Sequence, residues 1–114
     1  MQIQRIVPDL TVVDLEHAVG EHAAVLGMEV VMDHGWIVTL ADTSGNQLSL
    51  MTRDQTAPVN PDVSVFVDDV SAAHGAALAA GVEIVHPLTD EPWGVRRFFY
   101  RDAEGHVVNV GQHA

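Results

Sequence analysis

Seven histidines and 16 acidic residues are spread along 114 residues, and their spacing limits what they can do. Two histidines share a helix face when they lie three or four positions apart. No two are that close here; the nearest pair, His17 and His22, is five apart. His17 does align with Glu21, an i,i+4 pair of the kind that ordinarily decorates an exposed helix face. His34 and His106 fall at turns, His74 on a helical stretch and His113 in the tail. His86 borders a stretch with Pro87, Pro92 and Trp93, and looks either into a cleft or out to solvent. Cysteine is absent, which excludes a disulfide framework, Cys-ligated zinc, an iron–sulfur centre and a thiol nucleophile. Neither a glycine-rich phosphate loop nor a serine nucleophile elbow occurs. What remains is binding chemistry. Flat rings stand at Trp36, Trp93, Phe98 and Tyr100, and hydrogen-bonding groups at Gln47, Ser49, Arg96 and Asn109. Rings stack on planar ligands, a guanidinium pairs with a carboxylate, and amides and hydroxyls orient what the rings hold.

Such residues need a scaffold, and the chain writes one twice. Leu10-Thr11-Val12-Val13-Asp14-Leu15 is repeated by Val65-Phe66-Val67-Asp68-Asp69-Val70, an apolar run ending at a helix-capping Asp. Leu26-Gly27-Met28-Glu29-Val30-Val31 is repeated by Ala80-Gly81-Val82-Glu83-Ile84-Val85, where Gly ends an Ala-rich helix and a β-branched strand follows. Asp42-Thr43-Ser44-Gly45-Asn46 is repeated by Asp102-Ala103-Glu104-Gly105-His106, a tight turn feeding an alternating strand. The offsets are 55, 54 and 60 residues, and the last is larger because extra residues lie between Val85 and Arg96. Two modules result, 3–52 and 62–112, joined by a linker over 52–61. Each reads strand, helix, strand, strand, strand. The helices are expected at 15–26 and 70–80. The later strands are expected at 28–33, 36–41 and 46–52, then at 82–86, 95–101 and 106–111. The fold class is α+β, two tandem βαβββ modules whose helices cover one face of a sheet and leave the other open.

Alternation along the strands assigns side chains to the open face. Pairing Tyr100 with Val107 and Phe98 with Asn109 across the last turn puts Arg96, Phe98, Tyr100, Val107 and Asn109 on that face. The same reasoning puts Trp36, Val38, Leu40, Gln47, Ser49 and Met51 there in the first module. Aromatic groups mixed with a few polar ones are the composition of a ligand pocket, or of a surface covered by a partner subunit. Trp93 closes over a flat ligand or plugs an interface, and Trp36 is a stacking platform or an interface aromatic. Arg96 holds a ligand carboxylate or pairs with Glu91, and Tyr100 donates to a ligand or sits satisfied in the core.

Val7-Pro8-Asp9-Leu10-Thr11-Val12-Val13-Asp14, Glu91-Pro92-Trp93-Gly94-Val95-Arg96-Arg97-Phe98 and Arg101-Asp102-Ala103-Glu104-Gly105-His106 carry a resemblance. With the duplicated βαβββ pattern, the chain resembles the vicinal oxygen chelate superfamily over nearly its whole length. That group includes glyoxalase I, extradiol dioxygenases, fosfomycin-resistance enzymes and bleomycin-resistance proteins, and the motifs are nearest the bleomycin-resistance-like branch. The resemblance implies curved sheets around an open cleft. In small relatives the cleft commonly combines modules of two chains, so a homodimer is expected. Metal-using members carry His or Glu at four strand positions, which here hold Val7, Ser49, Asp62 and Asn109. A divalent ion in an open site wants three His or carboxylate ligands, and Asp62 alone is a strong one, so no metal cofactor is expected. Asp9, two residues after Val7, shares its face, and with Asp62 makes an acidic neighbourhood for a cation or a base, or else sits at the rim in water. Where relatives carry an aromatic pair in the first helix, this chain has Glu21-His22.

Five basic residues against 16 acidic ones leave a formal charge of −11, a poor surface for nucleic acid or anionic membrane. No apolar stretch is long enough to span a bilayer, and the opening residues lack a secretion signal, so a cytoplasmic protein is expected. The expected function is metal-independent binding or sequestration of a flat, cationic or amphipathic metabolite or antibiotic. Its ligand-binding residues would be Trp36, Gln47, Ser49, Asp62, Trp93, Arg96, Phe98, Tyr100 and Asn109. The alternative is a glyoxalase-type lyase or isomerase acting on a small oxygenated substrate.

Overall fold

Two aspartates start the two helices. In the computed structural model, which describes residues 1–114, the side chain of Asp14 accepts the backbone N–H of His17 at 3.1 Å and that of Asp69 the N–H of Ala72 at 3.0 Å. Each supplies an acceptor to a first turn that has none of its own. Helix α1 runs Leu15–Leu26 and α2 Val70–Ala80, ended by Gly27 and Gly81 in the left-handed conformation. Neither is long and apolar enough to cross a membrane.

Eight strands complete the chain: β1 (Ile3–Thr11), β2 (Glu29–Asp33), β3 (Ile37–Ala41), β4 (Gln47–Met51), β5 (Val63–Val67), β6 (Glu83–Glu91), β7 (Val95–Arg101) and β8 (Val107–His113). They form one sheet in the order β2-β3-β4-β1-β5-β8-β7-β6. The two βαβββ halves meet where β1 and β5 run antiparallel, with Val7 opposite Ser64. Within each half the first strand pairs in parallel with the last, Asp9 opposite Ser49 and Ser64 opposite Asn109. The sheet curls, with helices on the outer face and an open cleft on the inner one.

The inner and outer faces are set by two matching turns. The backbone N–H of Asp42 donates to the Asn46 carbonyl at 3.1 Å, and that of Asp102 to the His106 carbonyl at 3.0 Å. Each hairpin loop therefore has three residues and a glycine at positive φ, 87° for Gly45 and 93° for Gly105. An odd loop moves the register by one from the expected pairing. Tyr100 faces Val108 and Phe98 faces Val110, while Leu40 faces Leu48 and Val38 faces Leu50. This corrects the face assignment of β3 and β7. Phe98, with Tyr100 and Val108 beside it, packs with Val67, Val110, Ala73 and Ala77 beneath α2. Val38, Leu40 and Leu50 pack with Ala18 beneath α1. Gly105→Ala should cost about 1–2 kcal/mol in a urea melt, because a Cβ at that φ is strained. Nothing lies within 4 Å of it to add a steric term.

Two further expectations change. The extra residues after Val85 extend β6 rather than forming a loop: Thr89, Asp90 and Glu91 pair with Arg97, Arg96 and Val95. Pro87, which has no N–H to donate, falls where the register shifts between His86 and Thr89. The linker folds back onto the sheet, where Ala57 packs with Phe99 and Val107.

Candidate functional site

The inner face encloses a cleft of about 240 Å³ lined by residues of both halves of the chain. Trp36 enters it just before β3 and Trp93 from the turn between β6 and β7. The two indoles meet edge to face across the mouth with centroids 6.3 Å apart. Gly94, at φ 84°, lets that turn close with its N–H on the Glu91 carbonyl at 3.1 Å, and so aims Trp93 inward.

The floor is polar and largely buried. Asn109 Nδ2 donates to Ser64 Oγ at 3.0 Å, and Ser64 Oγ donates to Asp9 Oδ2 at 2.6 Å. Thr39 and Ser49 share a hydroxyl hydrogen bond of 2.8 Å beside them. Asn109 Oδ1 is buried without a partner. Asp9 is 6% exposed. Burial pushes its carboxyl up to about 7, the Ser64 hydrogen bond opposes that rise and the Asp62 charge adds to it.

Trp36, Gln47, Ser49, Trp93 and Asn109 thus line the cleft as expected positions, and four others do not. Phe98 and Tyr100 lie beneath α2. Arg96 turns outward, its Nη1 donating to Ser71 Oγ at 3.1 Å and its Nε lying 3.6 Å from Asp90. Asp62 is exposed at the rim, where its carboxylate accepts the Val107 N–H at 2.8 Å. The first three follow from the one-residue register change; Asp62 is taken by an N–H that the start of β8 leaves free.

Arg97, not Arg96, faces the cleft. Its Nη2 reaches Asp54 Oδ2 at 3.1 Å and Thr56 Oγ1 at 2.9 Å, and its Nε reaches Glu91 Oε1 at 3.1 Å. His86 Nε2 contacts the same Glu91 oxygen at 2.9 Å, so His86 belongs to the buried network and does not line the cleft. The Arg97 guanidinium also lies 5.0 Å from the Trp93 ring and 4.9 Å from that of Phe99. Asp54 has no exposed surface. Burial alone would raise its carboxyl, but the Thr56 hydroxyl and N–H, with Arg97, hold it below its ordinary value. Arg5, Ser64, Phe66 and His113 also line the cleft, and none of them is among the positions expected there from the sequence. The repeat offset of 55 maps Asp9 onto Ser64, which would have revealed the latter.

The donors present do not fit a divalent ion. Nowhere do three His, Asp or Glu side chains converge, and the floor offers one carboxylate, three hydroxyls and an amide.

The sequence pattern of the Glyoxalase/Bleomycin resistance protein/Dioxygenase superfamily matches residues 2–110. The chain belongs to this superfamily. Its fold is that of solved structures at low identity. A glyoxalase/bleomycin resistance protein/dioxygenase superfamily member from Vibrio splendidus is 20% identical, with 97% of this chain and 99% of that one covered and a TM-score of 0.75. Methylmalonyl-CoA epimerase from Mycobacterium tuberculosis is 22% identical, with 95% and 86% covered and a TM-score of 0.76. A structure described as an NAD-dependent benzaldehyde dehydrogenase from Legionella pneumophila is 14% identical, with 96% and 100% covered and a TM-score of 0.80. No curated protein matches the chain.

Proposed function

We propose that this superfamily member binds a flat, amphipathic small molecule in the cleft without a metal ion, as a carrier or sequestering protein for a metabolite or antibiotic. The observation that carries this reading is the Trp36–Trp93 pair, 6.3 Å apart over a polar floor with a single carboxylate. Both tryptophans of the chain stand there. A planar ring entering between them gains apolar burial and stacking, while Gln47, Ser49 and Asn109 lie ready to orient its polar edge. Two guanidiniums and a single carboxyl line the cleft, which favours an amphipathic over a cationic ligand.

The test is a titration of planar aromatic compounds followed by tryptophan fluorescence, with and without EDTA and with added zinc, nickel or manganese. Binding unaffected by chelator, and weakened about tenfold or more in Trp93→Ala, is the expected result, since loss of a stacking ring costs on the order of 1–3 kcal/mol. Binding that requires one of the metals would overturn the metal-free reading.

A second reading has its own observation. Asp9, hydrogen-bonded to Ser64 and poised near neutrality, could take a proton from a substrate carbon, chemistry in keeping with the epimerase that shares the fold. Solvent deuterium entering a bound compound, and failing to enter with Asp9→Asn, would select it.

Self-association belongs to the same proposal. An apolar groove formed by Met1, Ile3, Val65, Ala77, Val82 and Phe98 lies beside α2 on the outer face, with Met1 65% exposed. A second copy of the chain is the occupant we expect, and light scattering at micromolar concentration would show a dimer.

A further inference from the structure

We propose that Arg5 is the seat for a carboxylate on the ligand, so that the molecule bound in the cleft is a flat aromatic acid; this rests on the cleft being a binding site. All five basic residues are arginines, among 16 acidic ones. Four are committed. Arg53 holds the carbonyls of Asp54, Ala57 and Pro58 in the linker, Arg96 lies by Asp90, Arg97 binds Asp54 and Glu91, and Arg101 meets Glu83 at 2.7 Å. Arg5 alone has neither a carboxylate nor a carbonyl. Its only protein acceptor is the Nε2 of His113, 2.6 Å from its Nη2.

That contact does not neutralise it. An imidazole accepts only when uncharged, and burial together with the Arg5 charge pushes His113 below its ordinary value. The Arg5 Nε–H is closed off from solvent and has no partner. Burial also lowers the pKa of the guanidinium itself, the mark of a charge that has lost water without gaining an anion. The group is nevertheless held in place. It lies 3.9 Å over the Phe66 ring, His113 stacks on that ring at 4.8 Å, and the ring edge packs so close to Gly111 that a Cβ there would sit 3.3 Å from it. A fixed, partly desolvated guanidinium in the same cleft as two indoles recognises a planar anion attached to a ring. Of the other charged groups of the cleft, Arg97 already pairs with two carboxylates, and Asp9 gains a proton below about pH 7.

The probes are 2-naphthoate and 2-naphthamide, which share shape and differ in charge. They are titrated at pH 6 into isotopically labelled protein, followed on the two indole N–H signals. Naphthoate should bind at least tenfold more tightly than naphthamide. In Arg5→Gln the two affinities should fall within twofold of each other, and Arg5→Lys should keep an intermediate preference. Equal affinities in the native protein, or a tenfold preference that survives Arg5→Gln, would overturn the anion seat while leaving the binding cleft intact. If neither probe moves the indole signals, the binding reading falls and the anion seat with it. The comparison of the two probes on the native protein needs no variant to fold.

Discussion

Arg97→Met should destabilise the protein by roughly 3–5 kcal/mol at pH 8, the usual cost of leaving buried charge without its partner. Arg97 is 5% exposed and lies between Asp54 and Glu91, so its removal leaves two carboxylates facing a side chain that accepts no charge. The pH dependence identifies the cause. In the native protein the Asp54 carboxyl is held below its unfolded value. It therefore contributes stability above the unfolded pKa, and that contribution is lost as the pH falls through the folded one. In the variant, Thr56 remains but the cation is gone, so burial dominates and the carboxyl moves above its unfolded value. Its contribution then changes sign, and acidification from pH 8 to pH 5 should restore part of the lost stability. Urea melts at both pH values measure this. An equal loss at both would mean that methionine merely packs badly. Because the guanidinium also lies against the Trp93 ring, the variant should loosen the aromatic mouth of the cleft.

Much of the framework could be read from the residues, and the reason it stopped short is specific. Asp14, Asp69, Gly27 and Gly81 mark helix ends by chemistry that depends on local backbone alone. Alternation along the strand after each turn puts Gln47, Ser49 and Asn109 on the cleft face, and there they lie. The strands before each turn went astray. Along β7 the order Arg96, Arg97, Phe98, Phe99 offers a cation and a ring to either face, so alternation carries no phase. Entering β3, Trp36, Ile37 and Val38 likewise put an apolar side chain on either face. The phase then rests on whether the turn has an even or an odd number of residues. An Asp followed three positions later by Gly, which occurs in both modules, is the signature of the odd, three-residue loop with its glycine at positive φ. Reading that signature moves Arg97 and Thr39 inward and sends Arg96, Phe98 and Tyr100 outward. The role of Asp54 had no such signal. Thr52 to Pro61 reads as a polar linker, and only the three-dimensional demand of Arg97 for a partner draws it under the sheet.

Asp9→Asn should stabilise the protein at pH 8 and leave it nearly unchanged at pH 4. The folded carboxyl is raised to about 7 from an unfolded value near 4. Over that interval the folded chain keeps a proton that the unfolded chain has released, so stability falls as the pH rises from about 4 to about 7 and then stays low. Three pH units correspond to about 4 kcal/mol, and relaxation of the site makes a gain of roughly 2–4 kcal/mol the reasonable expectation for the uncharged isostere. Asparagine keeps an acceptor for the Ser64 hydroxyl, so the change isolates charge from hydrogen bonding. Thermal melts between pH 4 and pH 9 provide the measurement, and a native-like slope in the variant would place the pH dependence elsewhere. The result bears on function as well as on stability. A carboxyl that weakens the fold at neutral pH, when its own amide would not, sits on the floor of the cleft beneath two tryptophans. If naphthoate affinity in the native protein falls above pH 7 and stays level in Asp9→Asn, the ionised Asp9 opposes a ligand anion and sets the pH at which the cleft releases it. If the affinity is level in both, the proton on Asp9 has no part in holding the ligand, and proton transfer to a substrate becomes the reason for its presence.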